Sequence, residues 1–211
     1  MNMMKTNETG RSMIEMLGVL AIIGVLSVGG IAGYSKAMNK FKTNKVADNV
    51  SMIVTNIRTL YAQQKTYTGL NNQTAVAMGV VPDELVTDAA NGGLQNAFLG
   101  SVNIGTATVT NLDAGADNGA HRGFFLTMNG LTKEACVTLA ANDWGSGYSA
   151  GYVGMTVSGS EQTGYNTAFA VGCDTATADQ WCASKGPMQV STAATGCSDT
   201  GNTNSITWVF Y

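Results

Sequence analysis

Hydrophobic residues form a continuous block near the N-terminus and recur periodically further along the chain. Residues 16–35 carry no charge, and as an α-helix they would span about 30 Å, the thickness of a bilayer core. In residues 36–66, apolar positions recur at steps of three and four, so the helix is predicted to continue with one apolar face. We expect it to end within residues 66–72, where a glycine and two asparagines lie close together. The apolar face comprises Val46, Val50, Ile53, Val54, Ile57, Leu60 and Tyr61.

Short alternating segments follow the helix and are separated by Gly, Asn and Asp turns, which predicts β-strands. Residues 131–141 have a helical pattern, with Thr132 at the N-cap position. The fold class is therefore predicted to be α+β, with a mostly antiparallel sheet packed on the apolar face of the long helix. The predicted strands are residues 102–112, 123–129, 152–157, 167–171, 189–192 and 206–211.

Charge is sparse and unevenly distributed. Charged residues make up 12% of the chain, about half the roughly 25% of an ordinary soluble domain, and a weakly charged surface favours self-association. Basic residues dominate residues 36–65 and acidic residues dominate from residue 83 onward. These opposite charges would attract neighbouring copies, or the lysines would simply solvate one helix face. We expect no nucleic-acid binding, because the basic run lacks interleaved aromatic residues.

The 4 cysteines all lie in the C-terminal half of the chain. An even number of cysteines outside a membrane segment indicates disulfides formed in an oxidising compartment. A zinc site is the alternative, but no C-x-x-C pair occurs and His121 is the sole histidine, so we expect no metal. Spacing alone leaves three pairings open for Cys136, Cys173, Cys182 and Cys197.

Glu15 distinguishes three interpretations of the N-terminal segment. A secretory signal peptide has an apolar region of about 7–15 residues that directly follows its basic residues, whereas here Glu15 separates Arg11 from a longer run. A plain single-pass anchor would gain nothing from Glu15, because a carboxylate in a bilayer costs a few kcal/mol. The third interpretation is a processed segment in which Glu15 is needed for assembly.

Residues 10–17 (GRSMIEML) resemble the processing motif of type IV prepilins. The resemblance implies that a membrane-embedded prepilin peptidase cuts between Gly10 and Arg11 and methylates the new α-amine of Arg11. Glu15 then becomes the fifth mature residue, and Gly24 falls where these pilins commonly have glycine. The first mature residue of the family is typically apolar, so Arg11 is a departure.

The implied chemistry is a charge pair between neighbouring subunits. An α-amine titrates near pH 8 and keeps its positive charge on methylation. Glu15 of one subunit would neutralise that amine on its neighbour inside an apolar fibre core. Because a buried unpaired carboxylate is costly, the pair would favour one axial register.

Residues 123–136 (GFFLTMNGLTKEAC) resemble the strand, Gly-Leu-Thr turn and cysteine-bearing helix of type IVb pilins, the toxin-coregulated, bundle-forming and conjugative thin-pilus kinds. That resemblance implies a disulfide between Cys136 and Cys197, which leaves Cys173 and Cys182 to close a short loop. With the type IV pilin fold, the chain would comprise a leader (1–10), a hydrophobic transmembrane and polymerisation helix (11–35), an amphipathic continuation (36–66) and a globular α+β head (67–211).

The function implied by the resemblance is that of a structural subunit, the major pilin, serving adhesion, aggregation, motility or conjugation. Its partners would be further copies of itself, prepilin peptidase, an inner-membrane assembly platform and, before assembly, membrane lipid. The head would lie in the periplasm of a Gram-negative bacterium and then in an extracellular filament. The alternative is a pseudopilin or minor pilin of a type II secretion or DNA-uptake machine.

Catalytic residues are not evident in the sequence. His121 lies in a loop (114–123) rich in Gly, Asn and Asp and is expected at the surface, as are Asp113 and Asp117. No P-loop, dinucleotide fingerprint, EF-hand or HExxH motif occurs, so we expect neither an enzyme nor a cofactor, and a membrane-anchored hydrolase lacks supporting residues. The closing aromatics Trp208, Phe210 and Tyr211 are predicted to pack in the core.

Overall fold

A computed structural model describes residues 13–64, 66–111, 121–145, 151–165 and 168–211. The chain divides into two compact units, of which the first ends at Phe41 and the second comprises Lys42–Tyr211. Helix α1, Met13–Tyr61, supplies the described part of the first unit and the opening segment of the second.

The end of α1 differs from the expected position. The helix stops at Tyr61, before residues 66–72, because the chain turns back over its own last turn. The amide of Gln64 donates to the carbonyl of Tyr61 at 2.8 Å, and the ring of Tyr67 then packs 5.1 Å from the ring of Tyr61. The Tyr67 amide also donates to the carbonyl of His121 at 2.7 Å. Tertiary contacts, rather than the glycine and asparagines downstream, therefore end the helix.

Within the described residues, the second unit adds short helices and strands to α1. The helices are α2 (Asn72–Ala77), α3 (Lys133–Ala140) and α4 (Val190–Gly196), with 3₁₀ turns at Asp83–Leu85 and Ala183–Lys185. The strands are β1 (Val86–Asp88), β2 (Gly93–Leu94), β3 (Val102–Ala107), β4 (Val109–Thr110), β5 (Gly123–Leu131), β6 (Tyr152–Ser158), β7 (Phe169–Ala170), β8 (Trp181–Cys182) and β9 (Asn204–Phe210).

A five-stranded sheet in the order β3-β5-β9-β6-β8 forms the centre of the second unit, and all of its neighbouring strands are antiparallel. The two central strands are buried throughout. Phe124 lies opposite Phe210, and Leu126 lies opposite Trp208, which places large apolar side chains in register on one face. The α+β fold class with an antiparallel sheet is thereby confirmed.

The second half of α1 packs on that face of the sheet. Val46, Val50, Ile53 and Ile57 are completely buried in one cluster with the sheet residues. Leu60 was expected on the same stripe but is 46% exposed, because in the last turn Tyr61 takes the inward position. The periodic pattern thus identifies the packing face correctly until the helix ends.

The opposite face of the sheet has its own smaller core. Phe125 and Val209 point to this side and pack with Val109, Val153 and Phe169. The strands β4 and β7, which pair in parallel, help to cover it. The second unit therefore consists of a helix layer, a sheet and a covering layer of loops and short strands.

The prediction of a strand at residues 189–192 is wrong, because residues 190–192 form the start of helix α4 and Gln189 is its N-cap. Its small residues allow the helix to lie close to the sheet: a Cβ on Gly196 would come within 3.0 Å of Val157. Ala193 is completely buried on the same side. Close packing, which single-sequence patterns do not reveal, decides the conformation here.

Helix α2 was also missed, and the reason lies in its cap. Asn71, expected to interrupt a helix, instead begins one: its side chain accepts from the amide of Thr74 at 2.9 Å. The Thr74 hydroxyl accepts from the Asn71 amide at 2.8 Å, which completes a capping box. In α3, by contrast, the predicted N-cap is confirmed, since Thr132 accepts from the Ala135 amide at 3.3 Å.

Candidate functional site

The first half of α1 exposes apolar side chains around its whole circumference. An 18-residue window has a mean hydropathy of 2.2, and none of it is buried in the chain itself. By length and composition this helix can cross a membrane, and it fits membrane anchoring. Its exposed large side chains are those of Met13, Ile14, Met16, Leu17, Val19, Leu20, Ile22, Ile23, Val25, Leu26, Val28, Ile31, Tyr34 and Phe41.

Five glycines of this segment have open space beside them in the described part of the chain. Among those described residues, nothing from elsewhere in the chain lies within 4 Å of a Cβ built on any of the five. Glycine in a helix is about 1 kcal/mol less favourable than alanine, whereas small residues let neighbouring helices approach closely. The contacts that would use this free space therefore belong to other molecules. The glycines are Gly18, Gly24, Gly29, Gly30 and Gly33.

Glu15 lies in the first described turn of α1, with its side chain exposed. The next charged residue along the chain is Lys36, so one carboxylate stands at the end of an apolar stretch of about 31 Å. An acidic residue in the first turn of a helix is favoured by the helix dipole. The predicted cleavage and methylation positions, Gly10 and Arg11, lie outside the described residues.

Polar contacts hold the second half of α1 against the following loop. Lys45 Nζ lies 2.7 Å from Glu84 Oε2, and the Asn56 side-chain amide donates to the carbonyl of Val80 at 3.0 Å. The ammonium of Lys42 lies over the ring of Phe98, 5.7 Å from its centroid. The ion pair is partly exposed, so it contributes at most about 1 kcal/mol.

Two disulfides stabilise the head, one in the main core beside α1 and one in the smaller core on the opposite face of the sheet. Cys136 on α3 is bonded to Cys197, and Cys173 is bonded to Cys182, which is the pairing that the resemblance implies. The first bond closes a sequence separation of 61 residues and the second a separation of 9. In the chain-entropy account, the longer loop contributes about 4 kcal/mol and the shorter about 3 kcal/mol.

A groove with a volume of about 690 Å³ lies between the last turns of α1 and the end of the central sheet. Its lining combines apolar and aromatic side chains with hydroxyl groups from α1. The groove was not predicted, because the residues that form it come from widely separated parts of the sequence. It is lined by Val50, Ser51, Val54, Thr55, Arg58, Thr59, Tyr61, Ala62, Gln64, Tyr67, Trp144, Phe210 and Tyr211.

Burial raises the pKa of several tyrosines of the head. Burial raises the pKa of Tyr67, and the nearby Arg58 guanidinium partly opposes that shift. Burial also raises the pKa of Tyr152 and of Tyr165, and neither hydroxyl has a hydrogen-bond partner in the described part of the chain. His121 is exposed, as expected of a surface residue. In the described ranges, no group of three or more potential metal ligands occurs.

Most of the predicted closing strand lies in the core. Trp208 is completely buried and Phe210 is 3% exposed, and both face α1. Tyr211 follows the strand and packs at the edge of the smaller core instead. Together with α3 and its cysteine, this arrangement has the elements that residues 123–136 and 206–211 predicted.

The sequence of this chain is similar to those of known pilus proteins. The family model described as PilS N terminal matches residues 40–211. The major structural subunit of bundle-forming pilus from Escherichia coli O127:H6 is 30% identical over 206 residues, which cover 98% of this chain and 96% of that protein. The toxin coregulated pilin of Vibrio cholerae serotype O1 is 27% identical over 139 residues, which cover 65% of this chain and 59% of that protein.

Among solved structures, the type IV b pilin from Salmonella typhi has 18% identity and a TM-score of 0.48, with 76% of this chain and 94% of that chain covered. The family assignment rests on the sequence matches. The family model spans most of the chain, and the bundle-forming pilin matches nearly the whole length of both proteins. The resemblance to type IVb pilins is therefore confirmed, and this chain belongs to the PilS N terminal family of type IVb pilins.

Proposed function

We propose that this pilin is the major, repeating structural subunit of an extracellular type IVb pilus and polymerises through α1. One observation carries the proposal: the first half of α1 exposes apolar side chains on every side. Burying one large apolar side chain contributes about 1.5–3 kcal/mol, so this surface is stable only in lipid or among equivalent helices. The relative matched over 98% of this chain is named as the major structural subunit of a pilus, which supports the fibre.

Maturation supplies the charge that assembly requires. Prepilin peptidase removes residues 1–10 by cutting between Gly10 and Arg11 and methylates the α-amine of Arg11. Glu15 of one subunit then pairs with that amine on its neighbour, while the helices pass from membrane lipid into the fibre core. The exposed position of Glu15 in the first described turn of α1 supports this pairing. A salt bridge in an apolar core penalises every register that leaves one partner unpaired.

The cellular path follows from the same properties. Residues 11–35 anchor the subunit in the inner membrane of a Gram-negative bacterium, the segment 36–66 continues the helix and the head (67–211) folds in the periplasm. Disulfides form there, because it is oxidising. An inner-membrane assembly platform then moves subunits from lipid into the growing fibre, which serves adhesion, aggregation, motility or conjugation.

A structural role accounts for the head without catalysis. The relatives found by sequence are named as pilus subunits and pilins. The buried tyrosines and the lone histidine of this head take part in packing and main-chain contacts. We therefore assign no enzymatic activity and no cofactor to this chain.

Mass analysis of filaments sheared from the cell surface tests the proposal. The expected result is that this chain is the predominant component and that it begins with N-methylated Arg11. If it is recovered only with Met1 attached and outside any polymer, the proposal is wrong. If it is a trace component of filaments built from another chain, the assignment as major pilin is wrong and the minor pilin is correct.

A further inference from the structure

The two disulfides of the head differ in their access to solvent. Cys136 and Cys197 are completely buried, and so is Cys182, whereas Cys173 is partly exposed. Thiol–disulfide exchange requires a thiolate to reach one sulfur atom of the bond from outside. Of the two bonds, therefore, the one between Cys173 and Cys182 is open to attack in the folded head, and the attack falls on Cys173.

This accessible disulfide closes a small hairpin at the edge of the central sheet, which we call the edge hairpin (residues 173–182). Its two arms are joined by a bridge between Ala176 and Trp181 and by the Cys182 amide, which donates to the carbonyl of Thr175 at 3.0 Å. A two-stranded hairpin is at best marginally stable in water on its own. The covalent bond between its ends therefore adds a constraint that these few hydrogen bonds do not supply.

The second arm of the edge hairpin has anchors that do not involve the disulfide. Trp181 is 3% exposed in the main core, and its indole N–H donates to the carbonyl of Gly186 at 2.9 Å. The same arm forms strand β8, which pairs with Gly154 and Met155 of β6. We therefore expect this arm to keep its position when the disulfide is broken.

The first arm of the edge hairpin, residues 173–178, is held differently. At its start, exposed polar contacts accompany the disulfide, including the Asp174–Lys185 ion pair and a hydrogen bond of 2.6 Å from the Ser184 hydroxyl to the Cys173 carbonyl. The Asp174 side chain is 81% exposed, so its ion pair contributes at most about 1 kcal/mol. Without the covalent bond, the start of this arm would depend on such surface contacts.

The end of the first arm covers the outer edge of β6. The amide of Val157 donates to the carbonyl of Ala178 at 2.8 Å, so the edge hairpin satisfies a main-chain group of that strand. In the described sheet, only the two-residue strand β8 lies beyond β6. An open strand edge is a template for pairing with another chain. The edge hairpin therefore keeps this part of β6 from pairing with a further strand.

We propose that the Cys173–Cys182 bond is a thiol–disulfide exchange site that a dithiol oxidoreductase opens and recloses in the folded head. A thiolate of that partner attacks Cys173 Sγ, the disulfide breaks, and Cys182 Sγ leaves and takes up a proton. The partner's second thiol attacks the mixed disulfide and releases Cys173 as a thiol. Two electrons and two protons thus pass from the dithiol to the two cysteines, and the partner becomes a disulfide. The reverse sequence closes the bond.

The proximity of the two cysteines selects a dithiol over a monothiol reductant. The Cα atoms of Cys173 and Cys182 are 5.8 Å apart. When a monothiol forms a mixed disulfide with Cys173, the Cys182 thiol attacks it from within the same short loop, at an effective concentration of about millimolar. The monothiol is expelled and the original bond returns. A dithiol escapes this reversal, because its own second thiol is equally close and resolves the mixed disulfide first.

Thiol mapping in the native full-length chain tests the exchange site. The detergent-solubilised chain is treated with dithiothreitol or, at equal thiol concentration, with glutathione, and the free thiols are alkylated and mapped by mass spectrometry. In dithiothreitol, the accessible pair is expected to be alkylated at least about tenfold faster than the buried pair, which needs a local opening of the core. Glutathione is expected to give little net reduction of either pair. The experiment uses single subunits, so its outcome does not depend on the proposed function.

A serine variant provides the matched control. Cys173→Ser with Cys182→Ser is expected to yield no alkylated cysteine under the same conditions. Simultaneous appearance of all four thiols in the native chain would overturn the proposal, because reduction would then follow unfolding of the head. Survival of the accessible bond in dithiothreitol until denaturant is added would overturn it too. Equal reduction by glutathione would rule out the dithiol class of partner.

Hydrogen exchange measured by NMR tests whether the bond holds the edge hairpin on β6. After reduction and alkylation, the Val157 amide loses the Ala178 carbonyl and is expected to exchange at least about tenfold faster. The Thr156 amide is the matched control: successive amides of a strand point in opposite directions, so it faces β9 and should keep its protection. Unchanged protection of Val157 would show that the disulfide does not control the edge of the sheet.

Discussion

Cys136 and Cys197 join helix α3 covalently to the residue that directly follows helix α4. Both cysteines are completely buried. Helix α4 is 7 residues long and has no side-chain N-cap bond, so its own hydrogen bonds are too few to hold it. The disulfide and the close packing of Gly196 on Val157 therefore keep this helix on the sheet.

Removal of this disulfide is expected to destabilise the head more than removal of the other one. Replacing Cys136 and Cys197 by serine should lower the free energy of unfolding by about 4 kcal/mol, because the unfolded chain regains the freedom of a long loop. Urea unfolding of the detergent-solubilised chain, followed by tryptophan fluorescence, measures the change. The control replaces Cys173 and Cys182, whose short loop predicts a loss of about 3 kcal/mol or less. A larger loss in the control would contradict this account.

Loss of the Glu15 carboxylate is expected to block assembly without unfolding the head. In Glu15→Gln subunits, the neighbouring amine would be buried without its partner, a penalty of about 3–5 kcal/mol per contact. The variant should remain in the membrane at normal levels but be missing from sheared filaments, as measured by quantitative blotting of both fractions. Glu134→Gln, an exposed acid on α3, serves as the control and should assemble normally. Equal incorporation of the Glu15 variant would show that the pairing does not set the register.

The buried hydroxyl pair between β5 and β9 offers a test of hydrogen bonding in the sheet. The Thr127 and Thr207 oxygens lie 2.7 Å apart, and both residues are buried. Thr127→Val should cost about 1–3 kcal/mol, because it leaves the other hydroxyl without a partner. The double variant with Thr207→Val should recover most of that loss, since both groups are then apolar and of similar shape. Chemical unfolding of Thr127→Val, Thr207→Val and the double variant measures the coupling energy between the two hydroxyl groups. If the stability losses of the two single variants simply add in the double variant, the pairing is contradicted.

The sequence predicted the elements whose patterns follow from local rules. The stripe from Val46 to Ile57 has the period of a helix, and the strands around Phe124 and Trp208 are short apolar segments bounded by turn residues, as expected of strands that are buried on both faces. Thr132 was recognisable as an N-cap because its hydroxyl bonds the main chain three residues ahead. In each case the information lies within a few residues of the element.

Features decided by distant contacts could not be predicted in that way. Helix α4 depends on a disulfide and on packing against β6, and α1 ends where Tyr67 folds back on Tyr61. The groove joins residues from α1, the loop at Trp144 and the last strand, which only the folded chain brings together.

Stability is expected to fall at alkaline pH because two tyrosines of the head have buried hydroxyl groups. Burial raises the pKa of Tyr152 and of Tyr165 in the folded head, whereas an unfolded tyrosine titrates near pH 10. Below that pH, both states keep the protons, so the contribution of these two tyrosines to stability is constant. Above it, only the unfolded chain releases them, so the free energy of unfolding falls by up to about 1.4 kcal/mol per pH unit for each tyrosine. Urea unfolding between pH 8 and about pH 11 measures the slope.

Phenylalanine variants provide the matched controls for the alkaline decrease in the free energy of unfolding. Tyr152→Phe and Tyr165→Phe should each remove one tyrosine's share of the alkaline loss. Because neither hydroxyl has a hydrogen-bond partner in the described structure, stability at neutral pH should change little. An unchanged slope in the double variant would show that other groups cause the alkaline loss.

Glycine occurs in this head for two different structural reasons, a close main-chain approach at Gly100 and a left-handed backbone conformation at Gly79. A Cβ on Gly100 would overlap the carbonyl of Asn129, whereas Gly79 has a φ of 67° and open space around it. Gly79→Ala should therefore cost only about 1–2 kcal/mol of backbone strain. Gly100→Ala should cost about 3 kcal/mol or more, because a main-chain carbonyl at the end of β5 cannot move aside like a flexible side chain. Urea unfolding of both variants ranks the two costs, and a Gly100 variant no less stable than the Gly79 variant would mean that the turn at Gly100 is not packed on β5.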